Sequence, residues 1–153
     1  MENARIKIKI KKINPEAIIP HYAHEGDAGM DVYSCEDSIL NPDERRLIST
    51  GLSFEIPRGF EIQIRPKSGL ALNNGITILN TPGTLDSGYR GELKVILFNT
   101  SKNLYNVKKG EKIAQIILAR YEEAEIEETN ELTQTKRADG GFGSTGLIKK
   151  LEI

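Results

Sequence analysis

Five stretches of this chain hold residue types that could do phosphate chemistry. The first is Ala28-Gly29-Met30-Asp31-Val32-Tyr33-Ser34. Apolar neighbours flank Asp31, so its carboxylate is expected to sit partly buried beside a charge partner. The second is Arg65-Pro66-Lys67-Ser68-Gly69-Leu70-Ala71. It sets a cation, a hydroxyl and unpaired backbone amides at the start of a short helix, an arrangement that attracts phosphate. The third runs from Asn80 to Glu92 and is rich in turn residues. Asn80, Asp86 and Tyr89 supply an amide, a carboxylate and an aromatic ring within ten residues. The fourth is Gly110-Glu111-Lys112-Ile113-Ala114-Gln115. The fifth runs from Arg137 to Gly146 and contains Gly140-Gly141-Phe142-Gly143-Ser144-Thr145. Its glycines let backbone amides approach phosphate oxygens, Arg137 adds charge, and Phe142 offers a face for stacking on a base.

Each stretch alone has a plainer explanation. Ser68-Gly69 reads as a helix cap, with Ser68 as the capping residue. A glycine-rich terminus is more often a loose tail than a lid. An aspartate in a turn is usually there for the turn, and Arg90 with Glu92 could form an ordinary surface pair. Other candidates are weaker. His21 and His24 have His-x-x-His spacing but no further histidine or cysteine pair, so they read as a solvent-facing pair and not a zinc site. Cys35 reads as a small core residue. The acidic run Glu122 to Glu128 reads as a solvated face.

Strands must position these residues. Ile6, Ile8 and Ile10 alternate with Lys7, Lys9 and Lys11, which predicts a half-buried strand over Arg5 to Ile13. Leu52, Phe54 and Ile56 alternate, Pro57-Arg58-Gly59 interrupts, and Phe60, Ile62 and Ile64 resume, which reads as a hairpin. Ile76 to Leu79 is a short strand entered from Asn74-Gly75. Leu93 to Phe98 is apolar on both faces, as a central strand would be. Ile113 to Tyr121 suits a strand better than a helix, given its brevity and its neighbours. Ser68 to Asn73 is the one clear helix, ended by Asn74-Gly75. Short, evenly spaced strands with Gly, Pro and Asn between them indicate an all-β sandwich or barrel.

The chain has 153 residues, 38% hydrophobic and 6% aromatic, with a net charge of -1. That fits one β domain over residues 1–128 and a C-terminal arm over residues 129–153, where the apolar pattern fades. The modest core suggests that apolar surface is buried between subunits. The charge balance argues against a broad nucleic-acid-binding face, yet allows a few cations around a small anion. A single cysteine and the lack of an apolar leader or long apolar stretch point to the cytoplasm, with no membrane contact.

Taken in order, the five stretches resemble the five motifs of the trimeric dUTPase family, from about Asp27 to Gly146. The strongest matches are Asp86 to Gly91 and the run from Gly140 to Gly146. The resemblance implies a jelly-roll-like homotrimer with sites between subunits. It implies hydrolysis of dUTP to dUMP and pyrophosphate, which limits uracil entry into DNA and supplies dUMP for thymidylate synthesis. By similarity, Asp86 orients and deprotonates the water that attacks the α-phosphorus, and Asp31 is a supporting carboxylate. Tyr89 packs on the deoxyribose. Asn80, with Gly83, Thr84 and Leu85, reads uracil, and Lys94 stands at a nucleotide contact. Lys67, Ser68, Gly69 and Gln115 hold phosphates. Arg137, Gly143, Ser144 and Thr145 clamp the terminal phosphates while Phe142 stacks on uracil. Mg2+ is implied as cofactor, held through the triphosphate and waters and not by protein ligands.

Three departures from the family pattern stand out. Lys67 replaces a common Arg, so a bidentate contact becomes a point charge. Gly88 replaces an acidic residue, and Ala138-Asp139 replaces a Gly-Ser pair. Two other readings compete. A dCTP deaminase of the same fold would carry a catalytic Glu where Ile96 stands. A non-catalytic dUTP-binding or signalling protein would not need Asp86 together with a complete tail.

Overall fold

The computed structural model describes residues 5–142 and 144. Three sheets account for the strands. The first four-stranded sheet joins β1 (Lys9–Lys12), β4 (Arg45–Glu55), β8 (Glu92–Asn99) and β6 (Ile76–Ile78), in that spatial order. The second joins β2 (Met30–Tyr33), β10 (Lys112–Arg120), β5 (Phe60–Arg65) and β7 (Gly83–Leu85). A two-stranded sheet pairs β3 (Ser38–Leu40) with β9 (Tyr105–Val107). All the pairings are antiparallel. Inward residues of both larger sheets form one core: Ile48, Leu52, Leu93, Val95 and Leu97 from the first, Val32, Ile62, Ile64, Ile113 and Ile116 from the second. Two layers around a shared apolar interior is the sandwich that the alternating strands require, and it is compatible with a jelly roll.

The chain divides into two compact units, Met1–Glu122 and Glu123–Ile153. Among the described residues, the first holds every strand and α1 (Ser68–Asn74). Among the described residues, the second contains turns and bends but no strand or helix.

Several sequence readings need correction. The alternation around Pro57-Gly59 is not a hairpin. β4 pairs with β1 and β8, while β5 pairs with β10 and β7, so the chain crosses from one sheet to the other. Gly59 at φ 84 and a Phe60 N–H to Pro57 carbonyl bond of 3.2 Å make the turn. Alternation reports which face is buried; it does not report the partner strand. The first strand is also shorter than its pattern, spanning only Lys9–Lys12, where β4 is available to pair. Ile6 and Ile13 are exposed. β8 is central as expected, but only one of its faces is fully buried: Lys94 is exposed, and Ile96 and Phe98 are half-buried. In α1 the capping position belongs to Lys67, whose backbone is extended (φ -91, ψ 125) and makes no side-chain cap. Ser68 is the first helical residue, so its hydroxyl is not the cap. Gly75 closes the helix at φ 67 and donates to the Ala71 carbonyl, as a left-handed C-terminal glycine does.

Two bulges matter for the site. In β4, Ser49 faces Lys94 and Ser53 faces Glu92, so Thr50, Gly51 and Leu52 oppose the single Leu93. In β10, Lys112 faces Tyr33 and Ala114 faces Val32, leaving Ile113 as the extra residue. Extra residues shift which side chains reach which face of a sheet.

Candidate active site

β7 and the loop after it build a cleft of about 300 Å³. Its lining includes Asn80, Gly83, Thr84, Leu85, Asp86, Tyr89 and Lys94, all of them chosen from sequence. Leu47, Ile64, Glu92 and Leu93 complete it. Gly83 is fixed by crowding, since a Cβ there would lie 3.3 Å from the Asn80 amide nitrogen and 3.4 Å from Ile64. Asp86 heads a tight turn in which Tyr89 N–H donates to its carbonyl at 3.1 Å. The Tyr89 hydroxyl then donates to the Glu92 carbonyl at 3.2 Å. This fold-back lays the ring over Gly91, where a Cβ would collide with the ring carbon Cζ. Only glycine fits beneath Tyr89. Gly88, by contrast, has open space around it, so the acidic residue usual there would have had room. Arg90 donates to the Ser87 and Tyr89 carbonyls at 2.7 and 2.9 Å. It therefore braces the loop and makes no pair with Glu92.

Glu92, read from sequence only as a possible surface partner of Arg90, is tied into the β4 bulge instead. One of its carboxylate oxygens accepts from the Ser49 hydroxyl and from the Gly51 N–H at 2.8 Å, inside the β4 bulge. The other lies 3.5 Å from the Lys94 ammonium. Burial alone would raise its pKa, but the bonds from Ser49 and Gly51 and the nearby Lys94 outweigh burial and hold it below the usual carboxylate range. Thr50 and Ser53 hydroxyls bond the Leu93 and Arg90 carbonyls at 2.5 and 2.7 Å. The bulge thus pins both ends of the segment from Arg90 to Lys94.

A second group forms where β2 and β10 meet the start of α1. Asp31, Gln115 and Arg65 stand side by side across three strands. The two Asp31 oxygens are taken by different lysines: Lys67 holds one, and Lys112 holds the other at 2.7 Å. Burial raises the Asp31 pKa, and the hydrogen bonds and charges of Lys112 and Lys67 more than reverse this, for a net lowering. The charge partner expected for Asp31 is therefore two partners. The Gln115 amide donates to the Pro66 carbonyl at 2.8 Å, which ties β10 to the turn before Lys67, Ser68 and Gly69. A Cβ at Gly29 would fall 2.6 Å from the Gln115 side-chain oxygen, so this glycine makes room for the glutamine.

None of Asp31, Lys67, Ser68, Gly69 or Gln115 lines the Asp86 cleft. The register explains why. Gly83 pairs with Ile64 and Leu85 with Ile62, so the chain approaches Asp86 while running away from α1.

In the second unit, Arg137 and Gly140 bond reciprocally: Arg137 Nε donates to the Gly140 carbonyl, and Gly140 N–H donates to the Arg137 carbonyl, both at 2.9 Å. Ser144 N–H donates to the Gly141 carbonyl at 2.9 Å. Phe142 is fully exposed, at φ 46. Ala138 sits at φ 45, where a Cβ is strained and the glycine it replaces would not be. Gly143 and Thr145 lie outside the described residues.

Cys35 is a buried free thiol. His21 stacks on Tyr33 at 6.1 Å between ring centroids, and His24 lies 3.4 Å from Asp27. Among the described residues, no group of three or more His, Cys, Asp or Glu side chains could hold a metal ion, and no helix is long and apolar enough to cross a membrane.

An all-β unit with a carboxylate, an aromatic ring and an amide in one cleft, and two ammonium groups on one carboxylate elsewhere, defines a protein built to handle a nucleotide and its phosphates. The dUTPase family model matches residues 15–146, and the chain belongs to the dUTPase family. A deoxyuridine 5'-triphosphate nucleotidohydrolase from Nautilia profundicola is 57% identical over 141 residues, covering 92% of this chain and 99% of that protein. The dUTPase of Staphylococcus bacteriophage 80alpha, solved with dUpNHpp, superposes with a TM-score of 0.86 at 26% identity, over 92% of this chain and 99% of that one. A point mutant of the dUTPase from phage phi11 of S. aureus, solved with a structural Mg(II) ion, shares the fold with a TM-score of 0.77 at 23% identity, over 84% and 99%.

Proposed function

We propose that this chain hydrolyses dUTP to dUMP and pyrophosphate as a homotrimer. The observation that carries the reading is the placement of Asp86, Tyr89, Asn80 and the β7 backbone around one cleft. Asp86 accepts a proton from a water as that water forms a bond to the α-phosphorus. The bond from the α-phosphorus to the bridging oxygen breaks, and pyrophosphate leaves with that oxygen. Positioning and charge stabilisation supply most of the acceleration. Tyr89, held down on Gly91, presents a ring to the deoxyribose and leaves no space for a 2'-hydroxyl. β7 is an edge strand paired only with β5 among the described residues, so its outer backbone groups are available to uracil. With the Asn80 amide they offer donors to uracil oxygens, and cytosine's amino group would leave these unpaired.

Lys67, Ser68, Gly69 and Gln115 take the phosphates. Because they lie away from Asp86 in one chain, a complete site combines two copies, and the Arg137 to Thr145 arm closes it. Asp31 is committed to two lysines and is no free cation ligand. Mg2+ therefore fits best when carried by the triphosphate, with no resident cage of carboxylates. Bound there, it would neutralise phosphate oxygens. A deaminase reading is not favoured, since apolar Ile96 cannot activate water. The deciding experiment is pyrophosphate release with Mg2+ from dUTP, dTTP, dCTP and UTP. Release from dUTP alone is expected. Equal rates on all four, or ammonia from dCTP, would reject the reading.

A further inference from the structure

We infer that Lys112 sets the charge of the phosphate cradle by neutralising Asp31, leaving the Lys67 ammonium for the substrate. The inference rests on the dUTP reading above and deepens it. Lys67 and Asp31 form a contact pair of zero net charge. A neutral pair has little pull on a triphosphate. Lys112 on the second Asp31 oxygen, at 2.7 Å, changes the sum over these three side chains to one positive charge, and Arg65 adds its own charge in either case. Each ammonium carries three N–H donors and spends one on Asp31. The others can turn to phosphate.

The β10 bulge is what brings Lys112 here. Along β10, Gln115 shares the face of Asp31, its direct partner. Strict alternation from Gln115 would place Ile113 on that face and bury Lys112. With Ile113 as the extra residue, Ile113 and Ala114 are both buried, and Lys112 emerges on the Asp31 side. The turn before it is clamped as well: the Tyr105 hydroxyl and the Lys108 N–H both bond the Glu111 carboxylate, the latter at 2.8 Å. A half-exposed lysine is thus held in one place by a bulge, a turn and an ion pair. Lys112 is a positioning residue, acting through Asp31.

The test reads affinity, not turnover, by calorimetry on the full chain. Two probes serve: a non-hydrolysable imido analogue of dUTP, and inorganic tripolyphosphate. Lys112→Gln should weaken both by roughly five- to tenfold at low salt. Lys112→Arg should stay within about twofold of wild type. The diagnostic is Asp31→Asn with Lys112→Gln. Removing both charges restores the single positive sum, so this double variant should recover to within about twofold of wild type. A merely structural role would make the two losses accumulate. Unchanged binding by Lys112→Gln, or no recovery in the double variant, overturns the inference. Failure of the wild type to bind the dUTP analogue overturns the substrate reading instead, and the tripolyphosphate arm still judges the cradle.

Discussion

Asp86 and Lys67 stand toward opposite ends of β5. Leu85, the residue before Asp86, pairs with Ile62 near the start of the strand. Lys67 follows Arg65, the last residue of the strand. Three residue steps separate Ile62 from Arg65, roughly 10 Å at the usual rise. On the reading proposed above, one chain supplies the two halves to two different sites. Mixing an Asp86→Asn chain with a Lys67→Ala, Ser68→Ala chain, after denaturation and joint refolding, should restore measurable dUTP hydrolysis. Each variant alone should be near inactive. Mixtures no better than their parents would mean that each chain builds its own site.

Asp86→Asn removes the proton acceptor and keeps the shape of the turn. Its carbonyl, not its side chain, receives the Tyr89 N–H, so the loop should persist. Turnover should fall at least ~100-fold while the affinity for the imido analogue stays near wild type. Stopped-flow hydrolysis beside calorimetry separates the two. A near-normal rate would remove Asp86 from the mechanism.

Much of the candidate cleft was legible in sequence, because a turn-rich loop carrying an amide, a carboxylate and an aromatic ring stands out from ordinary β connections. Asn80, Asp86, Tyr89 and Lys94 did come together in one cleft. What sequence could not show is pairing. The pattern around Pro57 was the same for a hairpin and for a crossing between sheets, since alternation encodes burial alone. The bonds that Lys112 and Glu92 make were not legible for a related reason. Lys112 reaches Asp31 only through an extra residue in β10, and Glu92 reaches Gly51 only through extra residues in β4. A bulge is a relation between two strands. The adjacent buried pair Ile113-Ala114, breaking alternation just before Gln115, was the one available signal for Lys112.

Truncation after Lys136 should leave the folding of the first unit intact, since every strand among the described residues lies before Tyr121. Hydrolysis should drop by at least ~100-fold if arm closure completes the site. Circular dichroism and sedimentation should match the full chain. The strained Ala138 adds a second arm to the test: Ala138→Gly relieves a left-handed backbone at φ 45 and should favour a closed arm, lowering KM for dUTP. Full activity in the truncated chain would refute the lid.

Acid should loosen the site before it unfolds the core, and the sign follows from the two part-buried carboxylates. For both Asp31 and Glu92, burial works to raise the pKa, and their hydrogen bonds and lysine partners bring it below the ordinary value. A folded pKa below the unfolded one contributes stability that is fully present above the unfolded value, near 3.8 for Asp31 and 4.5 for Glu92, and is lost as pH falls through the folded pKa. Tm should therefore be flat from pH 7 down to about 5 as far as these two groups are concerned, and fall below that. Glu92→Gln keeps an oxygen for Ser49 and Gly51 but has no charge to lose. Its Tm should start lower at pH 7 and decline less steeply in acid. Parallel wild-type and variant curves between pH 5 and pH 3 would show that Glu92 contributes nothing to acid sensitivity, and that its bonds in the β4 bulge are not coupled to its charge.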